Sequence, residues 1–372
     1  MSKPPTKKAF RYRLEQMIRK TFMRAIIIVA SGRQTVAMDP RGQELKRILL
    51  VRANFRIGNA ILTLPAIAAF RKKYPDAKID YVGSQMSRVL FQNQPLDHHF
   101  VTPRRFPQVL WQFAGLIRRL RANRYDLAID VSCSQSSLAS FIIGLSGARI
   151  RAGCSGKWDG LYNFRVAELA ETNKYRKLTE FLTALRLDSI GEVGMLKFSA
   201  AELAAGRAAL TGAVGEVSGP VVGVFIGGRK LRGKRWPLEN FVEVVAGLNR
   251  NGFRVVTFLG PEEADIADEI KAALGPGAIL LSEPSLRKFA VLVSQLKLFI
   301  CCDSGPMHLT CAVGVRVVAI FRERDLARWS PPASVARTVS SAGTVSAEAV
   351  LNAALEELSK NSLVSSGQLP RI

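Results

Sequence analysis

The sequence predicts an α/β protein made of two successive parallel sheets, each covered by helices, with a cleft between them. Three observations carry this. The 372 residues exceed what one core usually fills. From residue 47 onward, short β-branched runs alternate with helical periods. A low-charge, Gly-containing stretch at residues 212–219 then separates one such series from a second. In open sheets of this kind, ligands bind beyond the C-terminal ends of the strands.

The elements follow in order. Residues 1–47 hold twelve Lys/Arg against three acids, and a basic leader is assigned to residues 1–46. Within it Phe10, Leu14, Met17, Ile18, Phe22 and Ile26 recur near helical spacing. That pattern fits an amphipathic helix on an anionic membrane, or equally a disordered arm with solvated charges. Residues 48–51 form the first strand, and Arg56-Ile57-Gly58-Asn59 turns into a helix over residues 60–73. Pro65 must kink or restart that helix, because proline lacks the N–H and clashes with the preceding turn. Residues 78–82 read as a strand and residues 106–121 as an amphipathic helix. Around the latter lie Arg104, Arg105, Arg118, Arg119, Arg121 and Arg124, with no acid between Asp97 and Asp126. Residues 127–131 are a strand, and Ser199-x-x-Glu202 is a capping box. The domain boundary is set at 213/214.

In the second series, strands are expected at residues 221–226, 254–259, 298–302 and 315–321, the last closing the sheet. Helices are expected at 238–248, 264–274, from Ser285 to about 295, from Met307 to Val313, and at 347–358. The second domain then spans residues 214–360, and residues 361–372 read as a disordered tail.

Composition removes several kinds of chemistry. Apolar types make up 48% and charged types 22%, ordinary globular values that exclude wholesale disorder. The five Cys show no C-x-x-C spacing, and their odd number argues against a disulfide framework and for a reducing compartment. Core packing explains Cys301, Cys302 and Cys311 better than reactivity does. Three His, two of them adjacent, argue against a His-rich metal site. No apolar run is long enough to span a bilayer. The net charge of +23 favours anionic partners: lipid surfaces, phosphorylated or lipid-linked substrates, or nucleic acid. The last is disfavoured, since the aromatics do not interleave with Lys/Arg as a base-stacking surface requires.

Three segments carry candidate chemistry. Gly228-x-x-x-x-Gly233-Lys234 follows a strand and resembles a phosphate-binding P-loop. Arg235 stands where the Mg²⁺-holding hydroxyl should be, and Trp236-Pro237 disfavours the helix, so that reading is rejected. What remains is a basic loop whose cations, Lys230 and Lys234 among them, can hold a diphosphate, unless it is a merely solvated turn. Asp303-Ser304-Gly305-Pro306-Met307-His308 joins a strand to a helix. Ser304 is expected to cap, Gly305 admits close backbone approach, and the helix N-terminus suits a phosphate. Asp303 can accept hydrogen bonds from sugar hydroxyls. A plain, well-capped helix would carry the same residues. At residues 52–59, Arg56 and Gly58 suit anion or sugar contact, and Asn59 stands where a carboxylate would be a natural base.

Taken together, these stretches resemble glycosyltransferase family 9, the ADP-heptose:lipopolysaccharide heptosyltransferases. The matching text includes ILLVRANFRIGNAILTLPAIAAF, YDLAIDVSCSQSSLASFIIGLSGARIRAG, KRWPLENFVEVVAGLNRNGFRVVTFLGPEE, LFICCDSGPMHLTCAVGVRVVAIF and ARWSPP, over about residues 47–335. The resemblance implies a GT-B fold, two Rossmann-like domains facing a cleft, with the acceptor on the first and the nucleotide-sugar on the second. It implies metal-independent, inverting transfer of heptose from ADP-heptose to a lipopolysaccharide core or related glycan, with no cofactor. The enzyme would be cytoplasmic and peripheral on the inner face of the cytoplasmic membrane. Gly228, Lys230, Lys234, Glu262, Glu263, Asp303, Ser304, Gly305 and His308 would bind the donor, and Arg56 and Gly58 the acceptor. Lys234 would also serve catalysis. Three departures stand out. Asn59 replaces the usual Asp, the expected base, so Asp130 becomes the candidate proton acceptor. Phe225-Ile226-Gly227 replaces His-Pro-Gly. Arg322-Glu323-Arg324-Asp325 replaces Gly-Pro-Thr-Asp. The Asn59 departure leaves an alternative, a catalytically weak or inactive member that binds nucleotide-sugar without transfer.

Overall fold

The computed structural model describes residues 36–103, 109–188, 190–215, 219–227 and 235–364. Two six-stranded sheets organise them. The first contains β1 (Arg47–Val51), β2 (Lys78–Gly83), β3 (His98–Val101), β4 (Leu127–Asp130), β5 (Ile150–Cys154) and β6 (Phe164–Val166). The second contains β7 (Val221–Ile226), β8 (Arg254–Leu259), β9 (Ile279–Leu281), β10 (Leu298–Cys302), β11 (Arg316–Arg322) and β12 (Ala336–Ser341). Their orders are β3-β2-β1-β4-β5-β6 and β12-β11-β10-β7-β8-β9, the same doubly wound topology twice. Every pairing is parallel. Parallel sheets are covered on both faces, which is why Leu49, Leu50, Ile300 and Cys301 are all fully buried within continuous apolar runs. The order reverses between β1 and β4 and between β7 and β10, the two places where such sheets open a crevice.

Pro65 acts as expected. One helix ends at Ile61 and a second, Leu64–Lys73, begins with the proline in its first turn. The Ser199 capping box forms, with Glu202 N donating to Ser199 Oγ (3.2 Å) and Ser199 N to Glu202 Oε2 (2.8 Å). All five cysteines are buried, and none forms a disulfide.

Several expectations need correction. The strand at 315–321 is not the last, because β12 adds an edge beyond β11. Its half-exposed, mixed-polarity pattern gave no clear alternation. The helix Ala200–Val214, assigned to the first domain by the 213/214 boundary, packs on the second sheet's layer. Gly206 abuts Val291 of the helix Leu286–Val293, and Leu196 N already donates to Ala312 O (2.7 Å). The chain therefore crosses over before residue 196, and the glycines at 212–219 mark a helix end instead. The closing helix runs over Ala347–Val364, so residues 361–364 of the proposed tail are helical. Residues 365–372, and residues 1–35 of the leader, lie outside the described residues.

Candidate active site

A cleft of about 320 Å³ lies between the halves. Its first wall is the segment after β1: Phe55, Arg56, Ile57, Gly58 and Asn59, with Met86 beside it. Its second wall comes from the ends of β7, β8 and β10: Phe225, residues 260–263, residues 303–306 and His308, with Trp329. Of the three sequence motifs, those at residues 52–59 and 303–308 meet where the topology predicts a site; the one at 228–234 lies outside the described residues.

On the second wall, β10 delivers Asp303, which is 9% exposed, directly ahead of the helix Gly305–Ala312. Ser304 does not cap that helix as expected. Its Oγ donates to Cys302 O (3.1 Å) and makes no cap bond to the helix's first turn. A helix N-terminus is a place where anions are stabilised, because its amide donors lack intrahelical partners. Glu262 is exposed at the cleft, whereas Glu263 is buried and ion-paired with Arg235. Arg235 Nε, also buried, has no hydrogen-bond partner among the described residues. Trp236 pins the adjoining chain, with Nε1 donating to Val345 O (2.8 Å) and its ring edge-on to Phe241. Gly228, Lys230 and Lys234 lie outside the described residues.

On the first wall, Arg56 is exposed and precedes the helix Ile57–Ile61 in extended conformation. Gly58 faces the imidazole of His308 so closely that a Cβ there would lie 2.5 Å from Cδ2. No larger residue fits without displacing that ring. Asn59 lines the cleft, and Arg52 Nε donates to its backbone carbonyl (3.2 Å).

Asp130 is not brought to the cleft wall. It ends β4 opposite Val51 and is 1% exposed. Ser132 N donates to Oδ1 (2.9 Å), and Oδ2 is buried without a hydrogen-bond partner among the described residues. Burial pushes its pKa up to about 6 against the opposing pull of the Ser132 hydrogen bonds and the Arg52 charge. The sequence placed Asp130 at the correct strand end, but it could not show which way the carboxylate is enclosed.

Three residues that sequence reasoning missed complete the second wall's support. Tyr175 reaches His308 Nδ1 at 2.5 Å, Trp329 meets the same ring edge-on at 6.2 Å between centroids, and Asn173 ties their elements together. Trp329 lay within the ARWSPP stretch. Asn173 was readable as an N-cap, but its reach across the halves was not.

Among the described residues no cluster of three or more His, Cys, Asp or Glu could hold a metal ion, and no helix is long and apolar enough to cross a membrane.

Two like doubly wound halves around a cleft define a GT-B-type architecture. A family model described as glycosyltransferase family 9 (heptosyltransferase) matches residues 113–357. The chain is 26% identical over 288 residues to lipopolysaccharide heptosyltransferase 3 of Escherichia coli, covering 74% of this chain and 83% of that protein. It is 25% identical over 298 residues to lipopolysaccharide heptosyltransferase 2 of Salmonella typhimurium, covering 74% and 82%. Its fold resembles that of a family 9 glycosyl transferase from Veillonella parvula (TM-score 0.76, 20% identity, covering 87% and 99%). It also resembles that of E. coli ADP-heptose lipopolysaccharide heptosyltransferase II (TM-score 0.68, 22% identity, covering 86% and 100%). The chain belongs to glycosyltransferase family 9 and is a glycosyltransferase.

Proposed function

We propose that the enzyme transfers a heptose, with inversion and without a metal, from ADP-heptose to a lipopolysaccharide core or related acceptor. The observation that carries this is the helix Gly305–Ala312, opening on the cleft directly after Asp303 and opposite Arg56 and Asn59. The relatives' names support the sugar and the acceptor class.

In this reading the diphosphate sits at the helix N-terminus, where amides and dipole stabilise the negative charge that grows as ADP departs. Gly228, Lys230 and Lys234 precede, in sequence, Arg235, which pairs with the cleft's Glu263, and in this reading Lys234 neutralises the phosphates. Asp303 holds sugar hydroxyls and Glu262, the exposed one of its pair, takes the ribose. Glu263 instead anchors Arg235. Arg56 and the open backbone at Gly58 receive the acceptor, and Asn59 orients its hydroxyl. An amide cannot take the proton, and general-base catalysis contributes about 10²–10⁴-fold. The enzyme is therefore slow for its class. The non-catalytic alternative finds no support in the family assignment.

The reading also includes docking on the cytoplasmic face of an anionic membrane. The helix Val109–Ala122 buries Leu116, Ile117 and Leu120 and turns Trp111, 85% exposed, outward with Arg118, Arg119 and Arg121. Each cation near such a surface contributes about 1 kcal/mol. Nucleic acid is no part of the reading.

Calorimetric titration with ADP and with ADP-heptose tests the donor half. Both should bind, and Lys234→Glu should abolish the heat. Undiminished binding to that variant would remove the diphosphate from this cleft.

A further inference from the structure

Tyr175 and His308 come from different halves of the chain, and both are buried, at 2% and 5% exposure. Their hydroxyl and Nδ1 lie 2.5 Å apart. Tyr175 is held from two sides. Its N–H donates to Asn173 Oδ1 (3.0 Å), the cap of the helix Lys174–Ala184. Asn173 Nδ2 donates to Ala327 O (3.3 Å) and Ser330 O (3.0 Å), at the helix Glu323–Trp329. The imidazole is bounded by Gly58 on its Cδ2 edge and by Trp329.

We propose that Tyr175 is a positioning residue for the donor site: its hydroxyl donates to His308 Nδ1, which fixes the imidazole proton on Nε2 and makes His308 an N–H donor to the nucleotide diphosphate. This rests on the function proposed above. The direction of the hydrogen bond follows from chemistry. Burial keeps the tyrosine protonated, so its O–H must go to an acceptor. The Cys311 thiol beside it is a weak acceptor, whereas an unprotonated imidazole nitrogen is a strong one. Once Nδ1 accepts, a neutral ring carries its hydrogen on Nε2. The first half of the molecule thereby sets the proton position of a side chain in the second half's ligand wall.

The chain has only three histidines, so ¹⁵N-histidine NMR can read the tautomer directly, with His308→Gln giving the assignment. The wild-type spectrum should show the Nε2–H form at His308, and Tyr175→Phe should shift it toward a mixture. Tyr175→Phe should weaken ADP binding roughly tenfold, the size of one hydrogen bond to a charged group. In a His308→Gln background the same change should cost nothing, because the glutamine amide donates without a tautomer to choose. An Nδ1–H tautomer in the wild type, an unaltered spectrum in Tyr175→Phe, or additive losses in the double variant would overturn the proposal. Failure of the wild type to bind ADP would overturn the function reading itself. The tautomer spectrum needs no ligand, so the two failures are told apart.

Discussion

In the proposed reaction Asn59 is the residue on which the rate turns. It stands on the first wall of the cleft, where the family resemblance implies an acid, and the carboxylates that line the cleft, Glu262, Glu263 and Asp303, all come from the other half. Asn59→Asp should therefore raise kcat by roughly 10–100-fold, within the range of general-base catalysis. A fall in rate in that variant would show that the amide itself is required. Gly58 offers a second residue-scale test. In Gly58→Ala the new methyl collides with His308, which is itself hemmed in, and overpacking of this kind costs about 1–3 kcal/mol. Thermal unfolding should register that loss together with weaker ADP binding.

Asp130 gives a pH signature. Its folded pKa, near 6, lies above the unfolded value, so the folded state holds the proton more tightly. Its favourable contribution is complete below about pH 4 and is lost as the pH rises through 6. Asp130→Asn should thus stabilise the protein at pH 7–8 by on the order of 1–3 kcal/mol and make little difference near pH 4. Transfer rates should change only a few-fold, since the carboxylate does not line the cleft. A hundredfold loss of kcat in Asp130→Asn would return it to the role of base.

Among the elements, one of the polar contacts that join the halves centres on Arg287. Arg287, 6% exposed on the helix Leu286–Val293, donates Nη1 to Leu90 O (2.6 Å) in the first half. It also donates Nη2 to Lys197 O (2.7 Å) and Nε to Glu202 Oε1 (2.8 Å). The arginine lowers the Glu202 pKa to about 2, so this contribution is present at neutral pH and lost as the pH falls from about 4.5 toward 2. Arg287→Ala removes the donor to the Leu90 and Lys197 carbonyls and the cation beside Glu202, and a loss of about 1–3 kcal/mol is expected in denaturant unfolding.

The same scale shows what the sequence could and could not reveal. Strands with near-continuous apolar runs, such as β7, β8 and β10, were legible because both faces are buried. Edge strands β3, β6, β9 and β12 were not, because they are short or half exposed and carry little pattern. The cap at Ser304 was misread for a physical reason: a serine before a helix offers one hydroxyl to two competitors, and here the carbonyl of Cys302 wins. Asp303, Gly305, Arg56 and Asn59 were readable, because strand-end positions in a doubly wound sheet fall at the crevice. Tyr175 was not, since its role depends on where a helix from one half meets a helix from the other.

At the scale of the whole molecule, the proposed docking on anionic lipid rests on a charge of +23 and an outward Trp111 among arginines. Vesicles rich in anionic lipid should bind it, with affinity falling steeply as salt is added, and neutral vesicles should not. Trp111→Ala should weaken the association without altering ADP binding. Equal binding to neutral vesicles would contradict the electrostatic docking.

The repeated topology places two switch points across one cleft, and the account stands or falls on group transfer there. The most direct measurement is mass spectrometry of a deacylated lipopolysaccharide-core acceptor after incubation with ADP-heptose and the purified enzyme. The account predicts an acceptor heavier by one heptose residue, equimolar release of ADP, faster product in Asn59→Asp and none in Asp303→Asn. Release of ADP with no gain of mass in the acceptor, or no reaction in either the wild type or Asn59→Asp, would contradict it.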